Sequence, residues 1–144
     1  VAKKKKQSAA DKWLAGDTTY QQQLANFNKS LSDYLAQFNR QTSITKRDYA
    51  DMIRQLNQQG AQDRVDQQND FAGRGILKSG VYAKALGDYN TEFNAKMKNL
   101  QTGQSDKLGD LSMQKTNFQR QLDLEKQAAK QDALRRRAAK LGVS

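Results

Sequence analysis

The sequence predicts an all-α protein, a long antiparallel helical hairpin assembling into a coiled-coil-like multi-helix bundle. Three observations predict it. Pro is absent from all 144 residues, so nothing forbids long helices. The apolar residues recur in steps of three and four along two arms, the spacing of a narrow helical seam. Between the arms, Gly73, Gly75 and Gly80 make the sharpest break in the chain, a place for reversal.

The elements follow in order. Residues 1–17 read as a basic N-terminal arm, in which Ser8 to Leu14 form a short helical turn closed by Gly16. That piece carries Trp13 as a packing anchor in preference to a ligand platform. Residues 18–71 form the first helical arm. Its start, Thr18-Thr19-Tyr20-Gln21, fits a capping box in which the Thr18 hydroxyl accepts a free N–H and Gln21 reaches back. Its seam runs Tyr20, Leu24, Phe27, Leu31, Leu35, Phe38, Thr42, Thr45, Tyr49, Met52, Leu56.

Residues 72–80 are the turn. Gly73 or Gly75 can take the left-handed conformation that ends a helix, Ser79 can cap the next one, and Ile76 and Leu77 tuck beneath. Residues 81–138 are the second arm, with Tyr82, Leu86, Tyr89, Phe93, Met97, Leu100, Gln104, Leu108, Leu111, Lys115, Phe118 and Leu122 along its seam. Residues 139–144 are a tail.

A chain that folds back should pair residues whose positions have a constant sum. Leu56 with Phe93, Met52 with Met97, Tyr49 with Leu100, Phe38 with Leu111, Leu31 with Phe118 and Phe27 with Leu122 all sum to 149. That centres the reversal between Arg74 and Gly75. Two weak stretches then lie opposite each other. Thr42-Ser43-Ile44-Thr45 are poor helix formers, with Thr45-Lys46-Arg47-Asp48 able to restart a helix. Gly103 and Gly109 flank Ser105 and Asp106. Either the arms run through, or they break together near 42–45 and 103–109 into four shorter helices.

Composition excludes several function classes. With Cys and His both at zero, there is no disulfide, thiolate nucleophile, imidazole base or zinc site of the usual kinds. No cofactor is expected, and no enzyme. No apolar run approaches a membrane span. The basic start Val1-Ala2 followed by Lys3 to Lys6 has no apolar stretch behind it, so it does not read as a secretory signal. Asp63, Asp66 and Asp70, like Asp106 and Asp110, alternate with Arg64, Arg74 and Lys107. They read as a solvated ion-paired face, not a carboxylate site. The turn glycines miss both the dinucleotide and the Walker spacing.

The net charge is +10, and it is unevenly placed. Residues 1–12 carry +4, residues 126–144 carry +5, and the 13–125 body carries +1. Lys3, Lys4, Lys5 and Lys6 with Arg135, Arg136 and Arg137 thus form a cationic pole if the hairpin closes. Two readings stay open. The pole keeps a helical protein soluble, or it attaches the protein to acidic protein surface or nucleic acid. No aromatic interleaves with it, so any nucleic-acid contact is backbone-directed, non-specific and salt-sensitive. Arg135 to Arg137 also complement a helix C-terminus.

The stretch Asp70-Phe71-Ala72-Gly73-Arg74-Gly75-Ile76-Leu77-Lys78-Ser79-Gly80 resembles one found in small virion structural proteins of tailed bacteriophages. In these an R-G-x-x-x-S-G turn separates Gln-rich helices, matched here by Arg74, Gly75, Ser79 and Gly80. The chain's 19 Gln and 9 Asn agree with that character. The resemblance covers about a dozen of 144 residues. It implies a multi-copy particle component of the tail, neck or capsid interior, located in the virion after assembly in the host cytoplasm, with itself and other virion proteins as partners. It transfers no catalytic residue. The secreted hairpins with a W-x-G turn are a poorer comparison, because Trp13-Leu14-Ala15-Gly16 has the wrong spacing and lies far from the turn. Non-specific DNA binding and a departing assembly scaffold or chaperone are the rival expectations.

Overall fold

The computed structural model describes residues 8–142, so Lys3 to Lys6 lie outside the described residues. Three helices follow one another: α1 Ala9–Gly16, α2 Thr18–Gly73 and α3 Gly80–Lys140. There is no strand among the described residues, and α2 and α3 pack antiparallel. The chain falls into two compact units. One, the terminal unit, joins the residues up to Asn39 with those from Ser112 on. The other, the turn unit, is Arg40–Leu111.

The helix starts use short polar side chains. Ser8 caps α1, its hydroxyl accepting from the Asp11 N–H at 3.1 Å. The expected capping box at Thr18 is not what starts α2. Asp17 is the cap, its carboxylate accepting from the Tyr20 N–H at 3.2 Å. Gln21 reaches back past Thr18 to donate to the Leu14 carbonyl at 2.9 Å. A carboxylate meets the positive end of the helix better than a hydroxyl does, and Thr18 is left as the first helical residue.

Both arms run through. α2 spans 56 residues and α3 spans 61 without interruption, so the alternative of breaks near 42–45 and 103–109 is overturned. Packing overrides the weak propensity. Thr45 is buried at 8% exposure. Gly103 lies so close beneath Tyr49 that an added Cβ would sit 3.1 Å from its hydroxyl.

The turn is built by one glycine. Gly75 has φ 70°, and the Ile76 and Gly75 N–H groups donate to the Phe71 and Ala72 carbonyls, each at 3.0 Å. This is the paired-bond arrangement that closes a helix C-terminus around a left-handed residue. Ser79 caps α3, accepting from the Tyr82 N–H at 3.3 Å, and its own hydroxyl donates to the Ile76 carbonyl at 2.6 Å. Ile76 is half-buried as expected, whereas Leu77 is 36% exposed and does not tuck under the turn.

The register differs from the expected one. Phe71 meets Tyr82, Asp63 meets Tyr89, Gly60 meets Phe93 and Tyr49 meets Gly103 in the turn unit. Tyr34 meets Phe118 and Phe38 meets Lys115 in the terminal unit. These pairs sum to 152 or 153, not 149. Phe93 therefore rests on Gly60 and not opposite Leu56, and Phe118 stacks on Tyr34 and not opposite Leu31. The cause is the turn itself. With α2 ending at Gly73 and α3 beginning at Gly80, the reversal is centred between Ile76 and Leu77. The displacement is about one helical turn, so the same two seams still meet.

Candidate assembly and attachment surfaces

Packing buries little of the seam. Of Phe27, Leu31, Phe38, Tyr49, Met52, Leu56, Phe93, Met97, Leu100, Leu111, Phe118 and Leu122, only Leu111 and Leu122 are buried. Met52, expected on the seam, is 41% exposed. The others are half-buried. Two helices cover one stripe of each other and leave the flanks of large side chains open. In the turn unit, Tyr49, Met52, Leu56, Leu100 and Gly103 line an open recess of about 420 Å³, with Lys96 and Asn99 at its edge. Further apolar side chains stand out singly: Val65 and Val81 in the turn unit, Met113 and Leu124 on α3 in the terminal unit.

The turn unit is tied across its helices by polar groups, among them Asp63 and Arg64, which the sequence places on a solvated face. The Tyr89 hydroxyl donates to Asp63 at 2.8 Å, and Gln59 donates to the other carboxylate oxygen at 2.8 Å. Those hydrogen bonds hold the Asp63 carboxyl below the usual carboxylate range, with Gln59 contributing most. Burial, followed by the same hydrogen bond, pushes the Tyr89 phenol above its ordinary value. Arg64 donates to Asn90 at 3.3 Å and places its guanidinium 4.8 Å from the centre of the Phe93 ring, a cation–π contact. Gly60 makes room for that ring: a Cβ there would lie 2.6 Å from it. Asp66 accepts from Gln62 on its own helix, and Asp70 pairs with Arg74 just past the end of that helix.

In the terminal unit, the basic cluster is partly spoken for. Arg136 donates to Asp17 at 2.7 Å, with the Asp17 side chain only 16% exposed. The Arg136 hydrogen bond holds the Asp17 carboxyl below its usual range. One carboxylate thus caps α2 and anchors α3. Arg135 pairs loosely with Asp132 at 3.4 Å, and Arg137 is half-buried. Trp13 is half-buried and lines a recess of about 200 Å³ with Lys12, Gly16, Asp17 and Lys140, a position that fits a packing role. Lys115, an odd residue for an apolar seam, sets its ammonium 4.7 Å from the Phe38 ring centre.

The sequence reading missed Asp17 and Gly60, and it placed Arg64 on a solvated ion-paired face where the structure turns it to Asn90 and Phe93. Gly60 did carry a signal. A glycine inside a helix costs about 1 kcal/mol relative to Ala, so its place within the first arm asks for a packing reason. No helix of the described chain is long and apolar enough to cross a membrane. No protein-family model matches the chain, and neither a curated protein nor a solved structure does.

Proposed function

We propose that the protein is a non-enzymatic structural component of a bacteriophage particle. It is a multi-copy helical assembly protein of the tail, neck or capsid interior. Copies bundle through the seam flanks, and the basic termini attach to acidic protein surface or DNA. The observation that carries this reading is the open seam, with two of twelve seam residues buried and Met52 exposed. A hairpin with so thin a core gains most of its apolar burial from neighbours. The turn's resemblance to virion structural proteins supplies the setting.

Multi-angle light scattering with circular dichroism on the isolated protein, at low and high salt, tests the assembly. A discrete, strongly helical oligomer at both salts is expected. A helical monomer at every concentration would remove self-assembly from the reading. Steep loss of DNA affinity with salt in the monomer would favour a DNA-binding protein instead. Mass spectrometry of purified particles separates a resident component from a scaffold, which leaves before maturity. For attachment, Lys3 to Lys6 with Arg135 and Arg137 are the residues to neutralise. Arg136 is left intact because it holds Asp17. Weaker attachment with unchanged helix content is the expected result.

A further inference from the structure

We infer that a second copy of this chain docks on the open recess of the turn unit, face to same face, and that the terminal units stay out of the contact. That contact rests on the assembly proposed above and narrows it to one surface. Burial asks for a partner there. Of the 72 residues of the turn unit, only Thr45, Gly60 and Leu111 are buried, too few to close a core. The two glycine notches bracket the recess in sequence. Tyr49 sits on Gly103 at one end and Phe93 on Gly60 at the other. Between them Met52, Leu56 and Leu100 border about 420 Å³ of open space, with Met52 41% exposed. Methionine is unbranched and polarizable, which suits it to a contact that must adapt to its partner.

Charge selects the occupant. The turn unit holds 11 basic and 9 acidic residues, a net of +2, whereas the terminal unit carries +8. Copies meeting through terminal units would set +8 against +8. Copies meeting through turn units bring together surfaces close to neutral. An acidic partner is drawn to the terminal unit and has no such attraction to the recess. The edge of the recess carries both signs. Lys96 stands on it. Glu92 lies four residues before Lys96 on α3, and Asp48 four before Met52 on α2, so each shares its neighbour's side of the helix. All three charged side chains are exposed. When the same face is used by both copies, the Lys96 ammonium of one has a carboxylate of the other to meet, which makes the edge its own complement. Salt then works in one direction only. It leaves the apolar contact in place and screens the repulsion between terminal units, so association holds or tightens as salt rises.

Light scattering over a concentration series, at low and high salt, tests the contact, with circular dichroism as the check on folding. Met52→Lys puts a charge into the recess at an exposed position and is expected to weaken self-association by about tenfold or more at unchanged helix content. Asn99→Arg, at the exposed edge, is expected to weaken it too, and serves if Met52→Lys loses helix. Met113→Lys and Leu124→Lys change exposed apolar side chains of the terminal unit and are expected to leave association as it is. An oligomer that survives both recess variants, or that is lost in the terminal-unit variants instead, overturns the recess contact and leaves assembly standing. Dissociation on raising salt overturns it as well. A parent chain that stays monomeric overturns both, and leaves the recess to a different protein.

Discussion

The two units solve the same packing problem with different chemistry. The terminal unit buries aliphatic groups outright: Leu14, Leu122, Ala129 and Ala133 are all under 9% exposed, Ala133 fully so. It also contains a third helix, α1, that contributes Leu14. The turn unit has no third helix, and its buried positions are Thr45, Gly60 and one aliphatic side chain, Leu111. The large rings are half-buried in both units, but in the turn unit Phe93 and Tyr49 are seated on glycines and Tyr89 is held by a side-chain hydrogen bond. A helix pair without a third layer cannot hide large side chains, so it fixes them by notches and polar ties. The difference teaches where stability and adjustability lie. Aliphatic burial sets stability, whereas notches and ties set register.

The sharpest way to break the comparison is to delete equivalent leucines. Leu122→Ala removes a side chain that is 5% exposed and should cost about 2–5 kcal/mol. Leu56→Ala in the turn unit removes a half-buried one and should cost roughly half as much, because less area leaves water on folding. Urea unfolding followed by circular dichroism measures both. Equal losses would mean that the turn unit is as well closed as the terminal one.

Glycines sharpen it next, by the sign of the effect. Gly60→Ala adds a methyl group 2.6 Å from Phe93. Overpacking of about 1–3 kcal/mol outweighs the ~1 kcal/mol that alanine adds to a helix, so the variant should be less stable. Gly87→Ala, exposed and with nothing within 4 Å of the new Cβ, should be more stable by up to about 1 kcal/mol. Thermal melts of the two variants on either side of the parent would establish Gly60 as a notch. Stabilisation by both would show that Phe93 yields freely.

These residues also mark the limits of what the sequence made legible. The hairpin, its turn and its seams were readable because a period of three and four survives any tertiary context. The register was not, because a one-turn slip brings the same faces together and leaves the pattern unchanged. Composition does not say which of Gly73 and Gly75 becomes left-handed. Asp17 and Thr18 are both good caps, and what favours Asp17 is Arg136, 119 residues away. The weak stretch at 42–45 stayed helical because Thr45 is buried, a tertiary fact. Of the attachment cluster, the reading could place Arg135 to Arg137 at the end of α3 but could not see that Arg136 is committed to Asp17.

The smallest expected effect is on pH dependence, where the units again differ. Asp17 in one and Asp63 in the other both lie below the ordinary carboxylate range, through Arg136 and through Gln59 and Tyr89 respectively. In that window the unfolded chain binds more protons than the native one. The contribution is therefore complete above the ordinary Asp value and lost as pH falls through the depressed one. Tyr89 runs the other way. Its phenol keeps its proton longer when folded, so stability falls as pH rises past the ordinary tyrosine value of about 10. The turn unit thus has an acid limb from Asp63, held mainly by Gln59 and then by Tyr89, and an alkaline limb from the burial and hydrogen bonding of Tyr89, and the terminal unit has an acid limb from the Asp17–Arg136 pair. Arg136→Gln should flatten part of the acid limb and leave the alkaline limb alone. Tyr89→Phe should flatten part of both. Urea midpoints across the pH range separate them, and an alkaline limb unchanged in Tyr89→Phe would detach it from the Tyr89 phenol.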